Sequence, residues 1–133
     1  MSPRSFGKTD VIACVIAVLL LAFLFIYPHC KLNALRDDIS AMCDELISAA
    51  DAEEWDKARA TAARIDARFE NDRTLLRFVI DHEDIDNASD AISSTILMSE
   101  RCDGTETVIE AENIKSIVTY LAGIETFTPD NLF

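Results

Sequence analysis

Glycine and proline are scarce in this chain, which has only three of each among 133 residues. No glycine-rich loop of the kind that cradles phosphate groups occurs, and no G-x-G-x-x-G dinucleotide fingerprint is present. Basic residues interleaved with aromatic residues, a pattern typical of nucleic-acid surfaces, are also lacking. The sequence therefore predicts no bound nucleotide, no cofactor and no nucleic-acid partner.

Positive charge is scarce after the first thirty residues. Residues 31–133 contain 10 Lys and Arg against 23 Asp and Glu, a net charge of about −13. A surface of this sign repels phosphate backbones and anionic lipid headgroups, whereas a partner with a basic surface remains compatible with it. Residues 31–133 are enough for one small domain and too few for two independent hydrophobic cores.

Four cysteines are present, but their spacing contains no C-x-x-C element, so neither a zinc ribbon nor a thioredoxin-like redox site is indicated. Cys14 lies in an apolar run, and the others are Cys30, Cys43 and Cys102. We expect small apolar packing residues and one thiol beside the membrane. A disulfide between Cys43 and Cys102 is the alternative.

Seventeen consecutive apolar residues occupy positions 11–27. A helix of this length spans about 26 Å, slightly less than a hydrocarbon core of about 30 Å. Arg4 and Lys8 precede the run and favour a cytoplasmic N-terminus, a bias that Lys31 on the other flank weakens. A cleaved signal peptide is the alternative, but no small-residue cleavage site follows. The sequence predicts a cytoplasmic leader at residues 1–10 and, in contact with membrane lipid, a transmembrane anchor at residues 11–27.

Beyond the anchor, apolar residues recur at alternating steps of three and four, the period of a helix with one buried face. Four such stretches follow one another, and no β-type alternation occurs. Their apolar stripes are Leu32, Leu35, Ile39, Met42, Leu46 and Ala49; Trp55, Ala58, Ala62, Ile65 and Phe69; Ile85, Ala88, Ile92 and Ile96; and Ala111, Ile114, Ile117, Val118, Leu121 and Ile124. The pattern predicts an all-α fold, in which residues 28–125 form an antiparallel four-helix bundle or two stacked helical hairpins and residues 126–133 a flexible tail.

Capping residues predict the boundaries of these helices. Asp51 with Glu54, and Thr107 with Glu110, have the spacing of capping boxes at the starts of the second and fourth helices. Gly104 suits a left-handed cap at the end of the third helix.

Pro28 is expected to end or kink the anchor. The second helix is expected to continue to Ile80 and to exceed the first by about two turns. This mismatch predicts a bend near Asn71-Asp72 or a domain tilted on a stalk at Pro28.

The densest polar cluster is Asp81-His82-Glu83-Asp84-Ile85-Asp86. On a helix, His82 and Asp86 would be one turn apart on the same face, a spacing that suits a divalent metal, and His82, Glu83 and Asp86 are the candidate ligands. No second histidine stands at ligand spacing, and neither HExxH nor the calcium-loop glycine is present. The favoured interpretation is therefore structural, with acids that cap and charge a helix N-terminus.

No activated nucleophile is evident. Ser93 and Ser94 lack a glycine-bracketed elbow, and Cys102 stands among acidic neighbours, the opposite of the electropositive surroundings that activate a thiol. We assign no catalytic residue and expect that the protein is not an enzyme.

Two stretches carry a resemblance to a known family. The helix that contains Trp55-Asp56-Lys57-Ala58, followed by Phe78-Val79-Ile80 and the Asp81–Asp86 cluster, resembles the uncharacterised bacterial family called domain of unknown function 4363. The Ala-rich second helix differs from the Glu/Lys-rich form in that family. The resemblance implies a bacterial, membrane-tethered, all-helical protein and supplies no activity, cofactor or catalytic residue.

These observations favour a single-pass membrane protein whose acidic bundle lies outside the cytoplasm. We expect it to be a non-enzymatic accessory or scaffold for a protein partner at the bacterial cell envelope. The alternative is an extracytoplasmic sensor that binds a metal or a small ligand through residues 81–86.

Overall fold

The computed structural model describes residues 7–124, which form four helices and no strand. Helix α1 spans Lys8–Asp51, α2 spans Trp55–Val79, α3 spans His82–Glu100 and α4 spans Gly104–Ile124. The all-α fold class is confirmed for this part of the chain. The predicted tail at residues 126–133 and most of the predicted leader lie outside the described residues.

The helices pack as a closed ring in chain order. Helix α1 packs against α2 and α4, and α3 packs against the same two helices. Connections of two or three residues make consecutive helices antiparallel. The arrangement is an up-down four-helix bundle, since α1 and α4 close the ring.

The two ends of this bundle are distinguished by the uncovered part of α1, which emerges from one of them. We call the end with Pro28, the α2–α3 connection and Ile124 the near end, because the uncovered part of α1 emerges there. The opposite end, with the α1–α2 and α3–α4 connections, is the far end.

Pro28 was expected to end or kink the anchor, but it lies inside α1, so the helix does not end there. Proline has no N–H to donate to the carbonyl of residue 24, and it typically costs about 3 kcal/mol in a helix interior. Here Pro28 is the first buried residue of α1, and Leu32 and Leu35 on the next turns are buried in the core. Packing of these turns offsets the missing hydrogen bond, so the anchor and the first bundle helix are one continuous helix.

The predicted length mismatch between the first two helices is absent for the same reason. From Pro28, α1 continues for 24 residues, and α2 has 25, so each is about 36–38 Å long. Helix α2 runs as one helix through Asn71 and Asp72. Neither a bend at that point nor a stalk at Pro28 is needed.

The start of α2 differs from the predicted capping box. Asp51 is the last residue of α1, and the N-cap residue Glu54 makes no side-chain capping hydrogen bond. The chain reverses instead through Glu53, which has a left-handed backbone with φ of 56°.

The α3–α4 connection also differs from the prediction. The left-handed residue is Cys102, with φ of 55°, and Gly104 is the first residue of α4. Asp103 caps α4, since its carboxylate accepts a hydrogen bond of 3.1 Å from the N–H three residues later. Thr107 is fully buried inside α4, so the predicted capping box with Glu110 was wrong.

One buried stripe from each helix forms the core. Most residues of the predicted stripes are buried, but Met42, Ile96 and Ile117 are only partly buried, and Ile124 is 45% exposed. The fully buried large side chains are Leu32, Leu35, Ile39, Leu46, Ile65, Phe69, Leu76, Ile85, Ile92, Ile114, Val118 and Leu121.

Candidate membrane anchor and acidic face

The first half of α1 has almost no protein cover. Thirteen large apolar side chains between Val11 and Tyr27 are 42–64% exposed, and only 6% of the most apolar 18-residue window is buried. A core helix of a soluble protein can have the same length and composition but is mostly buried, unlike this segment. The helix is long and apolar enough to cross a membrane, a property that it shares with a signal sequence.

The uncovered part of α1 meets the bundle without a linker. The rings of Phe23 and Tyr27 stack with centroids 5.1 Å apart, and Lys31 Nζ lies 5.7 Å from the centroid of the Tyr27 ring. Aromatic and lysine side chains in this arrangement are typical of a membrane–water boundary. Tyr27 is exposed and Pro28 is buried, so the change from uncovered to packed helix occurs between these two residues.

The predicted Asp81–Asp86 cluster forms the first turns of α3. Asp81 is the N-cap, and its Oδ1 accepts a hydrogen bond of 3.0 Å from the N–H of Glu83, so the predicted capping role of Asp81 is confirmed. His82, Glu83 and Asp86 are exposed. Among residues 7–124, no group of three or more His, Cys, Asp or Glu could hold a metal ion. Metal binding through His82, Glu83 and Asp86 stays a prediction, and the structure brings no further ligand to them.

Positive charge is confined almost entirely to one side of the bundle. Seven of the nine ion pairs among the described residues join side chains of α1, α2 and their connection; they are Arg36–Asp37, Lys57–Glu54, Arg59–Asp56, Arg64–Glu45, Arg68–Asp38, Arg68–Asp72 and Arg73–Glu70. The other two both involve Lys115 of α4. Most of the basic residues of α1 and α2 are therefore already neutralised by nearby acids.

Helix α3 has the opposite character, since it contains no Lys or Arg. None of its five acids forms an ion pair within residues 7–124; they are Glu83, Asp84, Asp86, Asp90 and Glu100. Helix α4 adds three acids, Glu106, Glu110 and Glu112, against Lys115. We call the outer surface of α3 and α4 the acidic face. A groove of about 570 Å³ crosses it, lined by Asn87, Asp90, Ala91, Ser94, Glu110, Asn113 and Ile117.

An ion-pair network that the sequence did not indicate lies between α1 and α2. Arg68 Nε donates to Asp38 at 2.9 Å, and Arg68 Nη1 donates to Asp72 at 2.8 Å. Partial burial acts to lower the pKa of Arg68, but the hydrogen bonds and negative charges of Asp72 and Asp38 outweigh it, so this pKa is raised. Asp38 and Arg68 are 30 positions apart, and nothing in their local sequence pairs them.

The cysteines are all free, so the alternative of a Cys43–Cys102 disulfide was wrong. Cys43 is buried, as expected for a small packing residue, and Cys30 and Cys102 are exposed. Desolvation by burial raises the pKa of the Cys43 thiol to about 12, despite the positive charge of Lys115 nearby. The Cys43 thiol is therefore protonated and unreactive near neutral pH. Lys115 itself donates a hydrogen bond of 2.7 Å to Asp44, which joins α4 to α1 and raises the pKa of the lysine.

Comparison with known proteins finds one family. The family model described as Domain of unknown function (DUF4363) matches residues 26–132. The match begins at the last apolar residues before Pro28 and covers the entire bundle. No curated protein and no solved structure matches the chain.

Proposed function

Since this chain belongs to the family of domain of unknown function 4363, which carries no assigned activity, we propose a role for it from its own surfaces. It is a single-pass membrane protein with a cytoplasmic N-terminus and an extracytoplasmic bundle at the bacterial cell envelope. It is a non-enzymatic accessory or scaffold, and its acidic face binds a protein partner that has a basic surface.

The observation that carries this proposal is the uncovered half of α1. Burial of a large apolar side chain contributes about 1.5–3 kcal/mol, so the thirteen half-exposed side chains would gain on the order of 10 kcal/mol on leaving water. That gain is comparable to the whole stability of a small domain. The segment is also apolar on every side rather than along one stripe, which fits lipid better than a single partner helix.

The orientation is supported by basic residues that flank the run. Arg4 and Lys8 precede it, and positively charged residues near a membrane span favour the cytoplasmic side. Lys31 lies on the other flank, but its ammonium group lies over the Tyr27 ring. A lysine in this position can reach the lipid headgroups on whichever side of the membrane the bundle lies, so Lys31 does not oppose this orientation.

The acidic face supports the choice of partner. Its acids on α3 form no ion pair among the described residues, so their field extends into solvent. Complementary charge speeds association and selects the partner more than it adds raw affinity. The groove between α3 and α4 also gives this face a concave surface into which a side chain of the partner could fit.

Membrane insertion is tested first, with the full chain expressed in bacterial cells. Alkaline carbonate washing is expected to leave the protein in the membrane pellet, and protease added outside is expected to digest the bundle. Arginines at Leu19 and Leu20 would each cost about 2.5–3.5 kcal/mol at the centre of the bilayer and should release a folded protein. Release of the unaltered chain by carbonate, or protection of the bundle in intact cells, would overturn the anchor and its orientation.

The acidic face is tested by photo-crosslinking in intact membranes. A photoreactive residue at Asn113, in the groove, is expected to capture one defined protein, whereas the same residue at the exposed Ala63 of α2 should not. Reversal of charge at Asp90 and Glu110, both to Lys, is expected to abolish that product.

The matched control reverses the same amount of charge at the far end, with Asp51→Lys and Glu53→Lys. Both residues are exposed and neither forms an ion pair within the described range. Capture should persist in this control. Equal capture from Asn113 and Ala63, or equal loss in both charge reversals, would refute the acidic face as the binding surface.

A further inference from the structure

We propose that the near end of the bundle lies in the lipid headgroup layer, with Phe78 as a second membrane contact beside the anchor. The anchor and the bundle would then form one unit with a fixed height and tilt rather than a tethered domain. This inference rests on the proposed function, because it requires α1 to span the bilayer.

The register of α1 and α2 gives the height of Phe78. Arg64 pairs with Glu45 at 2.9 Å, and Arg68 pairs with Asp38 at 2.9 Å. Continuation of this antiparallel register places Phe78 level with residues 28–31 of α1. At about 1.5 Å per residue, this level is at most about 6 Å beyond Tyr27 along the helix axis.

The exposure of Phe78 is unusual at that height. Phe78 is 84% exposed, more than any other large apolar side chain in residues 7–124, including those of the uncovered anchor. Leu76 and Ile80 on either side of it are buried in the core. The last turn of α2 therefore presents one large apolar side chain to its outer side, next to the exposed Arg77.

The thickness of the lipid headgroup layer is large enough to include the level at which Phe78 lies. The headgroup layer is about 5–8 Å thick on each side of the hydrocarbon core, so it includes the level of residues 28–31. The absence of a linker between Tyr27 and Pro28 leaves no spacer that could lift the bundle away. The anchor is also about 4 Å shorter than the hydrocarbon core, and this mismatch draws the near end toward the membrane.

Other side chains at the near end fit a zwitterionic surface. Lys31 and the exposed Arg77 lie close to this level and suit lipid phosphates, whereas Asp81 and Glu83 at the start of α3 repel anionic lipids. Ile124 ends α4 at the same end of the bundle and is 45% exposed. The surface therefore matches phosphatidylcholine-like headgroups with an apolar layer beneath them.

Tryptophan quenching tests this contact in the full chain, reconstituted in phosphatidylcholine vesicles that carry lipids brominated near the headgroup. Trp55, the only tryptophan, is replaced by Phe, and single tryptophans are placed at Phe78, at Phe23 in the anchor and at Ile109 near the far end. Phe23→Trp and Phe78→Trp are expected to be quenched to a comparable extent, several-fold more than Ile109→Trp. All three sites are more than half exposed, so folding should tolerate each change.

The outcomes separate this inference from the proposed function. Quenching of Phe23→Trp without quenching of Phe78→Trp would overturn the headgroup contact and leave the anchor intact. Absence of quenching at Phe23→Trp would overturn the anchor itself. Equal quenching at Ile109→Trp and Phe78→Trp would show that the bundle lies on its side, which also contradicts the inference.

Discussion

Removal of the Arg68 guanidinium should lower the free energy of unfolding mainly through its buried partner, Asp72, and only slightly through its exposed partner, Asp38. The Asp72 side chain is 9% exposed and accepts hydrogen bonds from Arg68 at 2.8 Å and from Asn71 Nδ2 at 3.3 Å, whereas the Asp38 side chain is 53% exposed. In Arg68→Met, Asp38 returns to water at little cost. Asp72 instead stays buried on α2 as a charge that has lost its ion-pair partner and keeps only the longer hydrogen bond from Asn71.

The expected magnitudes follow from burial. Loss of one partner from a buried pair costs about 3–5 kcal/mol, but Arg68 is 20% exposed, so we expect about 2–3 kcal/mol for Arg68→Met. Asp38→Ala removes a largely exposed partner and should cost less than about 1 kcal/mol. The double change Arg68→Met with Asp72→Leu removes both charges and should recover most of the loss, because an apolar pair of similar volume often replaces a buried ion pair without destabilisation.

The assay is urea unfolding of the full chain in detergent micelles, followed by helical circular dichroism and by fluorescence of Trp55. A double-mutant cycle should give a coupling energy for Arg68 with Asp72 that is clearly larger than that for Arg68 with Asp38. Equal coupling energies, or a double variant as unstable as Arg68→Met alone, would refute the argument from desolvation.

Three further changes test single features of the bundle by the same unfolding measurement. The fully buried Thr107 hydroxyl has no hydrogen-bond partner within residues 7–124, so Thr107→Val should stabilise by about 1 kcal/mol. Thr95→Val instead loses a bond of 2.8 Å to the Ala91 carbonyl and should not stabilise. Cys102→Gly should stabilise by about 0.5–1 kcal/mol, because φ of 55° strains a residue with a Cβ; no change would show that this turn is unstrained. The Cys43 thiol has a pKa of about 12 when folded and about 8.5 when unfolded, so the unfolded chain ionises first and stability should fall as pH rises from 9 to 12. Cys43→Ala should reduce that slope, and an unchanged slope would contradict the assignment to Cys43.

Much of the fold could be predicted from periodicity, and the errors lie where local rules compete with packing. The stripes around Ile39, Ile65 and Ile114 were predicted correctly, because burial repeats with the helical period. Pro28 was expected to end or kink a helix, as its local chemistry suggests, but the buried turns after it hold the chain in α1. Asp103 caps α4 in place of Thr107. Asp103 with Glu106 and Thr107 with Glu110 both have the spacing of a capping box, so the local sequence is compatible with either start of the helix.

The candidate surfaces were less accessible to sequence reasoning. The contacts of Arg68 with Asp38 and of Lys115 with Asp44 join residues 30 and 71 positions apart, and no local pattern encodes such pairs. The exposure of Phe78 was equally hidden, because apolar residues surround Arg77 on both sides between Leu75 and Ile80 and no periodicity within so short a stretch distinguishes a buried residue from an exposed one. The absence of Lys and Arg from α3 was visible in the sequence. Its meaning depends on the ion pairs that neutralise most of the basic residues of α2 within α1, α2 and their connection, and the sequence does not show those pairs.

The continuity of α1 connects these surfaces. Half of this helix is uncovered and apolar, and the other half supplies one quarter of the bundle, so no flexible joint separates them. Helix α3 packs against α2 and α4 rather than against α1, so the half of the acidic face that α3 supplies lies diagonally opposite the anchor helix. Under the proposed function, a partner on this face would therefore be held between the headgroups and about 36 Å above them, the length of the bundle.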